Sequence, residues 1–155
     1  FMFFMAIYFV SNTSIWLTIL AFFGIQLQGT LYNYYYVILR NKVQGDTTSR
    51  VFETKTPTAL PGEKQKTVTF LFALYRTLYG TFDAVIYALD RTAYSGSILP
   101  NWFMTCLSFF GLGFQLLLIG VLLVAGLKDF IAPVFILFSI LVFVFIGIRK
   151  IWYAP

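Results

Sequence analysis

Polar side chains recur every seven residues along two apolar stretches of the sequence. One stripe contains Thr69, Arg76, Asp83 and Asp90, and Tyr87 follows four residues after Asp83. Because seven residues make about two helical turns, all five side chains project from one face of a helix. A charged group inside an apolar stretch is costly unless it faces protein or water and is paired. The sequence therefore predicts that Arg76 binds Asp83 or a carbonyl group of a neighbouring helix.

A second stripe lies upstream and has the same period. It consists of Gln26, Asn33 and Arg40, again seven residues apart. Two helices with such stripes are expected to pack stripe against stripe or to line one cavity together. Three interpretations stay open for these intramembrane groups: a functional path or site, a structural ion pair, and an Arg76 side chain that extends to the membrane interface. Asp90 and its neighbour Arg91 are interpreted as interfacial, structural residues.

The residue types that are missing exclude much chemistry. The chain has no His and a single Cys, Cys106, within an apolar run. His-ligated haem, Ser-His-Asp catalysis and an intrachain disulfide are therefore excluded for this chain. The six acidic residues are scattered, and no phosphate-binding glycine loop is present. We accordingly expect no metal ligands and no bound cofactor in this chain, and its catalytic residues, if any, are unknown.

The composition indicates a protein that is solvated by lipid. Of the 155 residues, 59% are hydrophobic and only 11% are charged, whereas soluble domains average about 25% charged residues. The apolar runs are continuous rather than alternating, which favours helices over a barrel. The sequence predicts an all-α, polytopic transmembrane helical bundle, located in a membrane as a multi-pass protein with the lipid bilayer as its partner.

The apolar runs define the expected spans. About 20 residues are needed to cross a bilayer, and residues 1–10 are too few, so they are interpreted as the end of a truncated span. Residues 1–155 then form a single transmembrane region, expected to be the C-terminal part of a larger protein. Four complete spans are predicted, at about residues 15–39, 67–89, 101–127 and 130–148.

A basic loop separates the first two complete spans. Residues 40–66 hold six of the eleven Lys and Arg residues, which predicts that this loop is cytosolic. Alternation then places loop 91–100 on the opposite side of the membrane. The basic side chains either bind lipid headgroups or only set the topology, and no nucleic-acid partner is expected. Four glycines of the third span, Gly111, Gly113, Gly120 and Gly126, are expected to permit close helix approach.

The end of the first complete span resembles a known family. Residues 34–42, YYYVILRNK, followed by GDTTSR at 45–50, are similar to the end of the fourth helix and the basic loop of the CDP-alcohol phosphatidyltransferases. The resemblance covers residues 1–127 in topology and about 20 residues in detail. The family's doubled-aspartate signature does not occur in this chain, and span 130–148 is one more than the family's six.

This resemblance implies part of an enzyme of phospholipid biosynthesis. Such an enzyme is a metal-dependent transferase of phosphatidyl or similar phosphoalcohol groups that uses Mg or Mn, with its catalytic motif outside this chain. Only Arg40 and Arg50 match the family's basic loop, as candidate phosphate contacts. Two alternatives are a non-catalytic helical subunit of a larger membrane complex and a transporter fragment. A homodimer or a larger membrane complex is compatible with all three interpretations: transferase, non-catalytic subunit and transporter fragment.

Overall fold

The computed structural model describes residues 2–43, 45 and 55–153, and these residues form helices, 3-10 turns and irregular segments, with no strand. The all-α prediction is therefore confirmed. The helices, in chain order, are α1 (Met2–Val10), α2 (Ile15–Lys42), α3 (Gln65–Leu78), α4 (Gly80–Leu89), α5 (Asn101–Leu107), α6 (Leu112–Val124) and α7 (Ile131–Trp152).

Two helices among the described residues are long and apolar enough to cross a membrane. They are α2 and the segment Lys128–Trp152, which contains α7. A third span is formed if α5 and α6, which meet at a 52° bend, are counted as one broken helix. Four complete spans are thus not found, and the count of two or three corrects the sequence prediction.

Local chemistry explains why two of the predicted spans are interrupted. Near Tyr79, the hydroxyl groups of Thr77 and Thr81 each donate a hydrogen bond to the carbonyl four residues earlier, an arrangement that often bends helices. At Gly111 the backbone is extended, and a Cβ there would lie 2.9 Å from the carbonyl oxygen of Ser108. Gly111 therefore permits the break between α5 and α6, which is a different role from the predicted close helix approach.

The helices α2, α4 and α7 run in the same direction. The rings of Phe23 and Phe82 lie 5.9 Å apart near the start of α4, and Asp90 at its end contacts the second half of α2. Along α7, Phe135 lies near the middle of α2 and Arg149 lies beside Asp90. At the opposite end of the bundle, the backbone N–H of Asn12 donates a hydrogen bond to Asp129 Oδ1 at 2.7 Å.

Loop 91–100 lies at the same end of the bundle as the start of the basic loop. The Lys42 ammonium group donates hydrogen bonds to the carbonyl oxygens of Gly96 and Ser97. The prediction that these two loops lie at opposite ends is therefore wrong. The reason is that α4 runs parallel to α2, so both helices end at the same level.

The core consists of two apolar clusters. One lies where α1, the first half of α2, α6 and the start of α7 meet, and it includes Phe4, Ala21, Ile119 and Phe135. The other joins the second half of α2 to α4, α5 and the end of α7, and its buried residues include Tyr35, Ile86, Phe103, Phe110 and Ile146.

Candidate functional site

A buried ion pair joins the ends of α4 and α7. Arg149 Nε donates a hydrogen bond to Asp90 Oδ2 at 2.7 Å, and Arg149 Nη2 contacts Asp90 Oδ1. The two side chains are 1% and 0% exposed, respectively. This is the fork-shaped geometry in which a guanidinium group binds both oxygens of a carboxylate.

Hydroxyl groups complete the arrangement around this ion pair. Tyr35 donates a hydrogen bond to Asp90 Oδ2 at 2.6 Å, and Tyr34 donates one to the Asp90 carbonyl oxygen at 2.9 Å. Arg149 Nη2 also donates to Thr92 Oγ1 at 2.7 Å. We call Tyr34, Tyr35, Asp90, Thr92 and Arg149 the Asp90 cluster. Because its charges are paired and shielded, the cluster is suited to fixing helix positions rather than to binding a substrate.

A second buried polar group joins three helices near the middle of α2. Gln28 Nε2 donates hydrogen bonds to Ser139 Oγ at 2.9 Å and to the Phe135 carbonyl oxygen at 3.2 Å. Gln115 Nε2 donates to Gln28 Oε1 at 3.1 Å. We call Gln28, Gln115 and Ser139 the Gln28 cluster. It connects α2, α6 and α7 through groups that lipid could not satisfy.

The stripe predicted on α2 lies on a different face from the polar residues that make tertiary hydrogen bonds. Asn33 is exposed, and Gln26 and Arg40 are half-buried. The polar residues that make tertiary hydrogen bonds are instead Gln28, Tyr35 and Lys42, which are also seven residues apart. They occur two residues after each predicted position, which turns them by about 200° around the helix. The seven-residue spacing of Gln28, Tyr35 and Lys42 is the signal in the sequence that could have identified this face.

The stripe predicted on the second span is divided between two helices. Thr69 and Arg76 are exposed on α3, while Asp83 is half-buried and Tyr87 exposed on α4. Within the described residues, Arg76 forms neither an ion pair with Asp83 nor a hydrogen bond with a carbonyl oxygen, so the predicted pairing is not formed. Asp90, interpreted from the sequence as an interfacial structural residue beside Arg91, is bound by Arg149.

An apolar cavity lies between α2 and the α3–α4 kink. Its volume is about 620 Å³. Most of its lining is aromatic or aliphatic, and three polar side chains interrupt it. The apolar lining residues include Phe22, Phe23, Leu27, Leu78, Phe82 and Val85, and the polar side chains are Gln26, Thr77 and Thr81. We call this space the lateral cavity.

A smaller cavity of about 300 Å³ lies between the end of α2 and α5. Its lining is more polar and includes Tyr32, Tyr36, Asn101, Thr105 and Ser108. Arg40 lies beside it, with Cζ 5.4 Å from the centroid of the Tyr36 ring. This distance is typical of a cation–π contact, which fixes the direction of a guanidinium group. Arg50, the other predicted phosphate contact, lies outside the described residues.

Comparison with protein-family models, with curated proteins and with solved structures found no match for this chain. The described residues also contain no group of three His, Cys, Asp or Glu side chains that could hold a metal ion.

Proposed function

We propose that this chain is the lipid-binding part of an integral membrane enzyme that transfers a phosphatidyl or similar phosphoalcohol group. The observation that carries the proposal is the lateral cavity of about 620 Å³ with its mostly apolar lining. Ligand sites typically have volumes of about 300–1,000 Å³ and few polar groups. An acyl chain fits these properties, and it would bind through close packing because the surrounding lipid is equally apolar.

The end of α2 supports the same proposal from the headgroup side. Arg40 is held against the Tyr36 ring, and an oriented guanidinium group can donate two parallel hydrogen bonds to a phosphate. The adjacent cavity presents hydroxyl and amide groups of Tyr32, Asn101 and Thr105, which suit a polar headgroup. In this proposal Arg40 binds the phosphate, and Arg50 is a second candidate contact.

The resemblance to CDP-alcohol phosphatidyltransferases implies a divalent metal, Mg or Mn. The described residues do not fit one, because no three potential ligands lie together. We therefore assign no metal-dependent step to this chain. Its own contribution is to hold the acyl chain and to orient the phosphate, while other residues would supply the metal site.

A second candidate function is that of a non-catalytic helical subunit of a membrane complex. It is favoured by one observation: the buried charges and amides of the Asp90 and Gln28 clusters form hydrogen bonds with one another. A transporter path through Arg76 and Asp83 has less support, since the two residues lie on different helices and Arg76 is exposed.

Lipid binding and transfer can be measured separately. Thr81→Trp would fill the lateral cavity, and Tyr94→Trp places the same side chain in exposed loop 91–100 outside it. We expect Thr81→Trp to reduce co-purifying phospholipid about tenfold, a change of about 1.4 kcal/mol in binding, and Tyr94→Trp to leave it unchanged. Equal lipid content in both variants would contradict the lipid site.

Transfer is tested by CMP-dependent headgroup exchange with Mg or Mn, in membranes from cells that make this protein. Loss of exchange in Arg40→Gln, with exchange retained in the exposed control Arg91→Gln, would support the enzyme. Bound phospholipid without any exchange in the unmodified protein would favour the non-catalytic subunit.

A further inference from the structure

We propose that α3 is an interfacial helix that lies along the membrane surface and binds anionic lipid headgroups through Lys64, Lys66 and Arg76. This proposal goes beyond the function proposed above and replaces the expectation that residues 67–78 begin a transmembrane span.

The surface of α3 is not covered by the rest of the protein. None of its residues is buried, and large apolar side chains such as Phe70 and Leu71 are 66% and 55% exposed. The segment before α3 folds onto the start of that helix. Gln65 accepts a hydrogen bond from the Ala59 backbone N–H at 2.8 Å and donates one to the Pro57 carbonyl oxygen at 3.1 Å.

The two faces of α3 differ in chemistry. Leu71, Leu74, Tyr75 and Leu78 follow the spacing of one helix face, and all four are exposed. The opposite face carries polar residues, namely Gln65, Lys66, Thr69, Arg76 and Thr77. An exposed helix with leucine and aromatic residues on one face and basic residues on the other is typical of helices that lie in the membrane interface.

The charge of this segment is entirely positive. Lys64, Lys66 and Arg76 are its charged residues, and no acidic residue occurs from position 64 to position 82. Basic side chains beside an apolar helix face are attracted to anionic lipid headgroups. This complementarity favours a lipid surface over a neutral or basic protein partner.

The length of α3 agrees with this placement. Its 14 residues extend about 21 Å at a rise of about 1.5 Å per residue, which is less than the hydrocarbon thickness of about 30 Å. The helix also ends at Leu78, and a single residue separates it from α4, which begins at Gly80.

Spin-label depth measurements on the full chain in nanodiscs test this proposal. In a Cys106→Ser background, single cysteines replace Thr69 and Ala73 on one face and Leu71 and Leu74 on the other. Accessibility to oxygen and to a water-soluble nickel chelate then reports depth. We expect depth to oscillate with the helical period, with the leucine positions in the lipid and the others in water.

Three outcomes would overturn the proposal. Depth that changes steadily from residue 69 to residue 74 would identify a transmembrane segment. Labels that all contact water would identify a solvated helix, and labels shielded from both reagents would identify a protein contact. The four label positions lie outside the lining of the lateral cavity, so the proposed function is tested independently.

The contribution of lipid charge to the binding of α3 is tested with the spin label at position 74. In the unmodified sequence we expect this label to lie deeper in nanodiscs containing phosphatidylglycerol than in pure phosphatidylcholine. The triple variant K64Q/K66Q/R76Q should lose this difference, while the control Arg91→Gln, at an exposed residue outside α3, should keep it. The same difference in both variants would show that the three basic residues do not bind anionic headgroups.

Discussion

Arg149 and Asp90 lie 59 residues apart in the sequence and form a fork-shaped, fully buried ion pair. Arg149 belongs to the last turn of α7, and Asp90 ends α4. The pair joins two helices that run in the same direction beside α2. It also explains why a basic residue near the end of the apolar helix α7 can be buried.

Replacing one partner of this ion pair should lower the free energy of unfolding far more than replacing both partners. Arg149→Met or Asp90→Leu alone leaves an uncompensated buried charge, with an expected loss of about 3–5 kcal/mol in the free energy of unfolding. The double variant Asp90→Leu/Arg149→Met should recover most of this loss, because two apolar side chains replace two paired charges. The measurement is reversible unfolding in mixed micelles. If the loss in the free energy of unfolding of the double variant equals the sum of the two single losses, the pairing contributes little.

Tyr35 should contribute more to stability through its hydroxyl group than its neighbour Tyr36. The Tyr35 hydroxyl donates to a buried carboxylate at 2.6 Å, and hydrogen bonds to charged groups contribute about 1.5–3 kcal/mol. Tyr35→Phe should therefore lower the free energy of unfolding by about that amount in the same assay. Tyr36→Phe is the control, since Tyr36 is exposed, and an equal effect of the two changes would contradict the assignment.

Replacing Gln28 should lower the free energy of unfolding much more than replacing Gln26, although the two residues lie only two positions apart. Gln28→Leu leaves the Gln115 amide buried without its acceptor, and such an unsatisfied group costs about 1–3 kcal/mol. Gln26→Leu affects a half-buried residue at the lateral cavity, and we expect a change within about 0.5 kcal/mol. Unfolding measurements on the two variants decide which polar face of α2 stabilises the bundle.

Gly24 should tolerate a methyl group less well than Gly29 in the same helix. A Cβ at Gly24 would lie 2.2 Å from Ser139 Oγ and 3.3 Å from Ser139 Cβ, whereas a Cβ at Gly29 meets nothing within 4 Å. Gly24→Ala should therefore separate α2 from α7 and disturb the Gln28 cluster, with a loss of about 1–3 kcal/mol. Gly29→Ala should be neutral or stabilising by up to about 1 kcal/mol. Similar stabilities of the two variants would contradict the close contact.

The amino-acid sequence alone determined the class of structure. Continuous apolar runs and the scarcity of charge predict helices in lipid, because only helices satisfy the backbone within each apolar segment. The seven-residue period of polar side chains along α2 was also evident, since helical geometry fixes which residues share a face.

Only the tertiary structure decided which face of α2 is buried and which charges are paired. The stripe of Gln26, Asn33 and Arg40 and the stripe of Gln28, Tyr35 and Lys42 have the same period, and the contact with α7 selects the second. Asp90 could be matched in the sequence only with nearby basic residues such as Arg91. Its pairing with Arg149 depends on two helices ending at the same level, and this follows from how α4 and α7 pack along α2.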